Sequence, residues 1–291
     1  MTDLNLSEAE KRYLIDGVKL GIRVDGRGPL DYRQLELETS VLDTANGSAR
    51  VRLHRTDVLV TVKMELEPPA SGRPNHGKLL FFVNCSANAA PEFEGRGGDD
   101  LSSSLCGVLE RLYSAPNTFS TAGLVVVPGK YVKAFYVDVE ILECGGNLFD
   151  VVSLGVKAAL YATRTPRITI TGEDGGELEF TLSDNPTDVD RLDVVNAPVL
   201  ITHLRISEGV TVVDPTSEEE QCGPVSVVVG VAPNSTICAV HLLGPGTIGP
   251  QTLQAALKGS SVLGADINAR LLKKLRQEES EPERRIRGFL G

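Results

Sequence analysis

The segment from Asn147 to Arg164, NLFDVVSLGVKAALYATR, limits what this chain can become more than any other. Read at helical period, its polar residues Asp150, Ser153, Lys157, Tyr161 and Arg164 fall in one narrow stripe on an otherwise apolar helix. Such a helix has to be covered over most of its circumference, so the rest of the chain must supply layers of structure around it. It reads as the central helix of a first lobe.

The preceding residues change to period two. Leu35 and Leu37 alternate with Gln34, Glu36 and Glu38, Val51 and Leu53 with Arg50, Arg52 and His54, and VLVTVKM follows the break Arg55-Thr56-Asp57. This predicts an antiparallel meander with one wet face. The Pro- and Gly-rich EPPASGRPNHGK reads as an exposed loop before the strand LLFFVNCSA, and Asp99 or Asp100 can cap a helix carrying Leu101, Leu105, Val108 and Leu112. YVKAFYVDVEIL places Phe135, Val137, Val139 and Ile141 on one side of a strand. At the start of the chain, Ser7 and Glu10 make a capping-box pattern for a helix turning Tyr13, Leu14 and Val18 toward the body.

Beyond the central helix, the polar stretch between Arg167 and Pro198 reads as a hairpin and a connection. Strands resume as APVLITHLRI, GVTVVD, GPVSVVVGVAP and STICAVHLLG. The third suits either a buried sheet or pairing across a subunit interface. A final helix, from about Pro250 to Gln277, presents Leu253, Leu257, Ser261, Gly264, Ile267, Leu271 and Leu275, with small central members that permit close packing. Strands followed by a helix, twice over, make an α+β chain of two packed lobes. The expected organisation is an N-terminal helix and arm (1–30), a first domain (31–167), a connection (168–196), a second domain (197–277) and a charged tail (278–291) ending in Phe289 and Leu290.

Composition excludes several classes. Apolar residues are 41% and charged residues 23% of 291, near ordinary soluble proteins. No apolar run reaches the roughly 18 to 20 residues of a membrane helix, and MTDLNLSEAEKRY lacks a signal-peptide core, so an intracellular protein without membrane contact is expected. Cys85, Cys106, Cys144, Cys222 and Cys238 are scattered and odd in number, which reads as reduced core thiols. His54, His76, His203 and His241 are equally dispersed, so neither a metal nor a cofactor is expected. A net charge of −10 opposes non-specific affinity for nucleic acid unless basic residues gather on one face or a partner completes a channel.

Three stretches invite chemistry. RVDGRGPLDYR crowds Arg23, Asp25, Gly26, Arg27 and Arg33 into a turn, which by itself reads as a surface turn with local ion pairs. VVDPTSEEE puts Asp214 at a strand end with Glu218, Glu219 and Glu220 close behind. These could hold a divalent cation or donate a proton, or simply cap a turn. In LECGGNLFD, Gly145 and Gly146 stand where a strand hands over to a helix, the usual place for backbone N–H groups to hold a phosphate. That use wants a cation. The flanking Glu143 and Asp150 would instead repel an anion by on the order of 1 kcal/mol each in water.

RVDGR with YR, NGSARVRLHRTDVLVTVK, PEFEGRGGDDL, LECGGNLFD with KAALYATRTPR, and VVDPTSEEE stand in the order found in RNase PH-type subunits of the RNA exosome, and the chain resembles that family over nearly its whole length. The resemblance implies the RNase PH fold, of ribosomal protein S5 domain 2-like architecture. Catalytic members carry Gly-Ser-Arg where this chain has Gly145, Gly146 and Asn147, and adjacent arginines where it has Gly98, Asp99 and Asp100. Asp214 matches a catalytic aspartate and Glu220 aligns with the family's second aspartate, leaving a degenerate site. The implied role is a non-catalytic subunit of a hexameric ring of RNase PH-like subunits, topped by RNA-binding cap subunits. RNA would be threaded through its channel toward associated hydrolytic nucleases, for ribosomal RNA maturation and mRNA turnover in nucleus, nucleolus and cytoplasm. An active phosphorolytic 3'-5' exoribonuclease is the alternative, and a free-standing RNA-binding module a third. By family loop position, Arg96, Arg111 and Lys130 are the candidates for RNA contact, though each could equally make an ordinary surface ion pair.

Overall fold

The computed structural model describes residues 6–171, 179–183, 185 and 188–280. The first sheet follows the meander. β1 (Leu35–Thr39), β2 (Gly47–Leu53) and β3 (Thr56–Glu67) pair antiparallel in sequence, and the long β6 (Tyr131–Glu143) lies antiparallel against β3. β4 (Lys78–Cys85) closes the sheet on the far side of β6, parallel to it, because the chain between them crosses over through α2 (Asp99–Ser114). The short β5 (Val125–Val127) leads into β6. Neither Asp99 nor Asp100 caps α2: Gly98 is the cap residue, and the two acids lie inside the first turn, where they favour the positive end of the helix.

α3 (Leu148–Ala162) is the predicted apolar helix, and it serves both lobes rather than the first alone. One side packs on β2 and β3, the other on β11 (Val199–Ser207) of the second sheet. That sheet runs β12 (Val210–Val213), β11, β13 (Val225–Val231), β14 (Ile237–Leu243), all antiparallel. β13 is an inner strand, so of its two sequence readings the buried sheet holds. α4 (Ser217–Glu220) follows β12, and α5 (Pro250–Ser280) covers the sheet's outer face, giving a β-α-β-α stack. With helices on both faces, β11 and β13 are buried almost continuously instead of alternating.

The polar stripe of α3 is its seam to the second lobe. The Ser153 hydroxyl accepts the Leu200 amide at 2.9 Å, and Asp150 accepts the Thr202 hydroxyl at 2.7 Å and the Thr202 amide at 3.2 Å. Lys157 is wholly buried and donates to Asn268 Oδ1 of α5 at 2.7 Å and to the Ala197 carbonyl at 2.5 Å. No carboxylate faces it, and burial pulls its ammonium down to about 7. Arg164 leaves the stripe: the helix stops at Ala162, and Arg164 starts β7 (Arg164–Pro166), which pairs with β10 (Val189–Arg191).

The connection contains the predicted hairpin, β8 (Ile168–Thr171) with β9 (Glu179–Leu182); residues 172–178 of that reading lie outside the described residues. α1 (Glu8–Lys19) starts with the expected Ser7–Glu10 capping box, but Tyr13 is 75% exposed, and Val18 with Ile15 packs on Leu204, Ile206 and Val212. The five cysteines are free and half-buried, most of them around the main core. Residues 281–291, with the predicted apolar tip, lie outside the described residues, and α5 runs three residues into what reads as the tail: Glu278 accepts from Thr39 and Glu279 from Tyr161.

α5 buries Ala256, Ser260, Gly264, Asn268, Leu271 and Leu275, a stripe rotated from the one predicted toward small and polar positions. Ser260 meets His203 Nε2 at 2.8 Å, and burial pulls that imidazole down to about 4. A Cβ on Gly264 would lie 2.6 Å from the Cβ of Val231. Gly264→Ala should therefore force the helix off the sheet and lower stability by about 1–3 kcal/mol. Urea unfolding of the two proteins measures it; equal midpoints would show that the helix has room to spare.

Candidate functional site

The site forms where β6 hands over to α3. Gly146 has φ +94°, and a Cβ there would sit within 2.7 Å of the backbone of Pro215, Thr216 and Ser217, so only glycine lets the turn press against the chain after β12. The Ser217 amide donates to the Gly145 carbonyl at 3.1 Å, and the Thr56 hydroxyl donates to the Gly146 carbonyl at 2.7 Å. Asn147 and Asp214 face each other, both in the left-handed region (φ 59° and 49°), which their short polar side chains tolerate. Four of the five residues of the predicted degenerate site, Gly145, Gly146, Asn147 and Asp214, thus meet directly, and the fifth, Glu220, arrives from α4.

Asp214 is wholly buried and saturated. Its Oδ1 accepts Arg33 Nη2 at 2.7 Å and Asn147 Nδ2 at 2.8 Å. Its Oδ2 accepts the Arg33 amide and Arg27 Nη1, both at 2.8 Å, and Arg33 Nε at 2.9 Å. Burial by itself would raise this carboxyl, but the hydrogen bonds and charge of Arg33, with Asn147, hold it below its ordinary value. Arg33 also donates to the carbonyls of Gly145 at 2.9 Å and Gly146 at 3.1 Å, so it ties the turn to the acid. Beside it Arg23, only 2% exposed, makes a two-pronged pair with Glu219 and donates to the Val213 and Asp214 carbonyls.

These arginines correct the surface-turn reading of RVDGRGPLDYR. The local pair Arg27–Asp25 exists at 2.6 Å, but Arg23, Arg27 and Arg33 reach partners across 181 to 196 residues of sequence. Sequence offers one hint, the alternation Ile22-Arg23-Val24, which puts a charge on the opposite side from two apolar neighbours. In the fold the charge is inside, while Ile22 and Val24 are 66% and 77% exposed.

At the turn itself, the Asn147 amide donates to Glu220 Oε1 at 2.9 Å. A carboxylate of the protein therefore occupies the N–H that an anion would use. The crowding of protein around Glu220 pushes its carboxyl up to about 7, but the residue is exposed to solvent, and water offsets part of that rise. Behind it Asp150 accepts Tyr32 OH at 2.6 Å and Asn147 Nδ2 at 3.0 Å. Its burial pushes it up to about 6 against those bonds. Arg23, Arg27 and Arg33 are all spent on carboxylates and carbonyls, while Arg55, whose backbone packs against Gly145, is 61% exposed and lies 4.0 Å from Glu143. Among the described residues no group of three or more His, Cys, Asp or Glu could hold a metal, and no helix is long and apolar enough to cross a membrane.

Arg96, Arg111 and Lys130 are all exposed, and the fold does not bring them together. Arg96 lies just before α2, next to Gly98 and the C-terminal end of β4, whereas Lys130 immediately precedes β6 at the opposite end of the sheet, about 30 Å away at ~3.3 Å per residue. Arg111 sits near the far end of α2, where its Nη2 lies 3.4 Å from His241 Nδ1 of β14. Arg96 and Lys130 carry no ion pair among the described residues.

Asp214→Asn should lower stability by about 3–5 kcal/mol, because it strands buried guanidinium charge without a counter-ion. The gap between the two proteins should be full above pH 3.8, the carboxyl's ordinary value, and close as pH falls through the lower folded value. Denaturant midpoints of both proteins across pH 2–7 check this; a gap that widened on acidification would contradict the clamp.

The chain matches the 3' exoribonuclease family twice, domain 1 over residues 31–166 and domain 2 over residues 196–260. It is 33% identical over 309 residues to RRP42 of Dictyostelium discoideum, covering 90% of this chain and 95% of that one. Exosome complex component Rrp42 of Thermococcus kodakarensis is 32% identical over 261 residues, 90% of this chain and 93% of the relative. A solved structure described as the Archaeoglobus fulgidus exosome with RNA bound to the active site superposes with a TM-score of 0.75 at 26% identity, over 91% of this chain and 96% of that chain. Two family domains in order, one on each sheet, and relatives matched nearly end to end make this chain a member of the RNase PH-type 3' exoribonuclease family.

Proposed function

We propose that the chain is a structural, non-catalytic ring subunit of an RNA exosome core. Its immediate partners are other RNase PH-like subunits in a hexameric ring, with RNA passing through the central channel. Around that ring stand RNA-binding cap subunits and hydrolytic nucleases, and the assembly serves ribosomal RNA maturation and mRNA turnover in nucleus, nucleolus and cytoplasm. Relatives at 32–33% identity named for the exosome, and the likeness to an archaeal exosome chain, support the ring assignment.

One observation carries the non-catalytic half: the Asn147 amide at the head of α3 is bonded to Glu220. Phosphorolysis needs inorganic phosphate held beside the RNA 3' end, so that a phosphate oxygen attacks the terminal phosphodiester and releases a nucleoside diphosphate. The turn's own residues, Gly145, Gly146 and Asn147, carry neither a hydroxyl nor a guanidinium to hold that phosphate, and the Glu220 carboxyl takes the Asn147 amide. Asp214 is equally unsuited to proton transfer, since every contact it makes favours the charged form. Nor is the acidic chain equipped to grip RNA alone, with a net charge of −10 and its candidate cations spread apart.

Incubated with RNA and inorganic phosphate, the purified chain should release no nucleoside diphosphate above a protein-free blank. Phosphate-dependent release, abolished by Glu220→Ala or Asn147→Ala, would establish the exoribonuclease reading instead. Native mass measurement of the protein purified from its own cells should find a hetero-oligomer with related subunits, and a lone chain with tight RNA binding at physiological salt would favour the free-standing module.

A further inference from the structure

A hollow lies away from the Gly-Gly-Asn turn. It is a half-open groove of about 970 Å³ between the loop carrying Arg73, the edge strand β4 and the C-terminal end of α2 with the loop after it. β4 ends the first sheet, so one side of its backbone has no strand beside it. Which groups point that way is fixed by Val83, whose carbonyl accepts the Ser102 hydroxyl of α2 and so faces away from β6. N–H and C=O groups alternate sides along a strand, so those of Leu79 and Phe81 point the same way as Val83. Both residues line the groove, and among the described residues neither has a hydrogen-bond partner on that side.

Two further features suit an occupant. Tyr113, 5% exposed, packs its ring on Phe81 at 5.3 Å and Phe119 at 6.1 Å, and its hydroxyl has no hydrogen-bond partner. The groove wall therefore holds an unsatisfied polar group that a small shift of the Phe119 loop could pair. Glu110, Asp193 and Arg73 also line the groove and make no ion pair among the described residues.

We propose that this groove binds an extended peptide segment of a partner protein, which adds a strand to the open edge of β4. The free backbone groups of Leu79 and Phe81 supply the ladder. The apolar wall of Phe81 and Phe119 takes one side chain, and Glu110 with Asp193 takes a basic one. Walls on both sides of the strand admit a single extended chain and exclude a flat folded surface. The inference goes beyond the ring assignment and does not depend on it.

The test is selection of a random peptide library displayed on phage against the immobilised full chain, followed by titration of the recovered peptide with fluorescence polarisation. Recovered sequences should alternate apolar and polar residues around a Lys or Arg, and their binding should slow hydrogen exchange at the Leu79 and Phe81 amides. Leu79→Pro, which removes an outward N–H, and Ser120→Trp, which fills the groove from an exposed loop, should each weaken binding by about tenfold or more. Ser120→Trp keeps the test decisive if the proline variant fails to fold. Peptides that bind both variants as well as the original, or no recovered peptide at all, would overturn the proposal. So would a groove covered by the folded face of a neighbouring subunit in the assembled oligomer.

Discussion

The buried charge of Asp214 organises the structure around it. Its carboxylate can remain ionised inside the protein only because Arg27 and Arg33 from the N-terminal arm and Asn147 from the head of α3 reach it. Each of those groups is then fixed in turn. Arg33 pins the Gly145-Gly146 turn, Asn147 sets the head of α3, and Arg27 with Arg23 straps the N-terminal arm across the second lobe. Between residues 6 and 33 Val18 is the one apolar side chain fully buried among the described residues, so the arm is held largely by charge.

The interface of the two lobes follows the same logic at smaller scale. α3 buries apolar side chains against the first sheet and spends its polar stripe on the second lobe, one polar residue per turn: Asp150 with Thr202, Ser153 with Leu200, Lys157 with Ala197 and Asn268. Hydrogen bonds add little net stability compared with apolar burial, but an unmade one in this setting is costly. They therefore fix the register of one lobe on the other more than they glue them together. The close approach of α5 at Gly264 and Ser260 completes the stack on the outer side.

Placing Glu220 on the Asn147 amide has a consequence for how the family scaffold is used here. A helix N-terminus beside a glycine turn is an anion site by default. In this chain the anion is part of the protein, supplied by α4 across the lobe interface. The turn thereby links β6, α3 and α4, and the scaffold gains a contact between the lobes at this position.

Local pattern determined much of this protein from its sequence. Period-two alternation located strands of the first sheet, apolar runs those of the second, period 3.6 located α2, α3 and α5, and the Ser7–Glu10 spacing located the start of α1, because each depends on neighbours within a few residues. The motifs that carry the family resemblance were legible too, as was the charge mismatch at the Gly-Gly-Asn turn. Only the tertiary structure decided where the polar groups of those elements point. Asp150, Ser153 and Lys157 of α3, Ser260 and Asn268 inside α5, and Arg23 between Ile22 and Val24 are all buried against partners from 37 to 196 residues away. A polar side chain has the same sequence signature whether water or a distant carboxylate satisfies it, and the choice is made when the two lobes close.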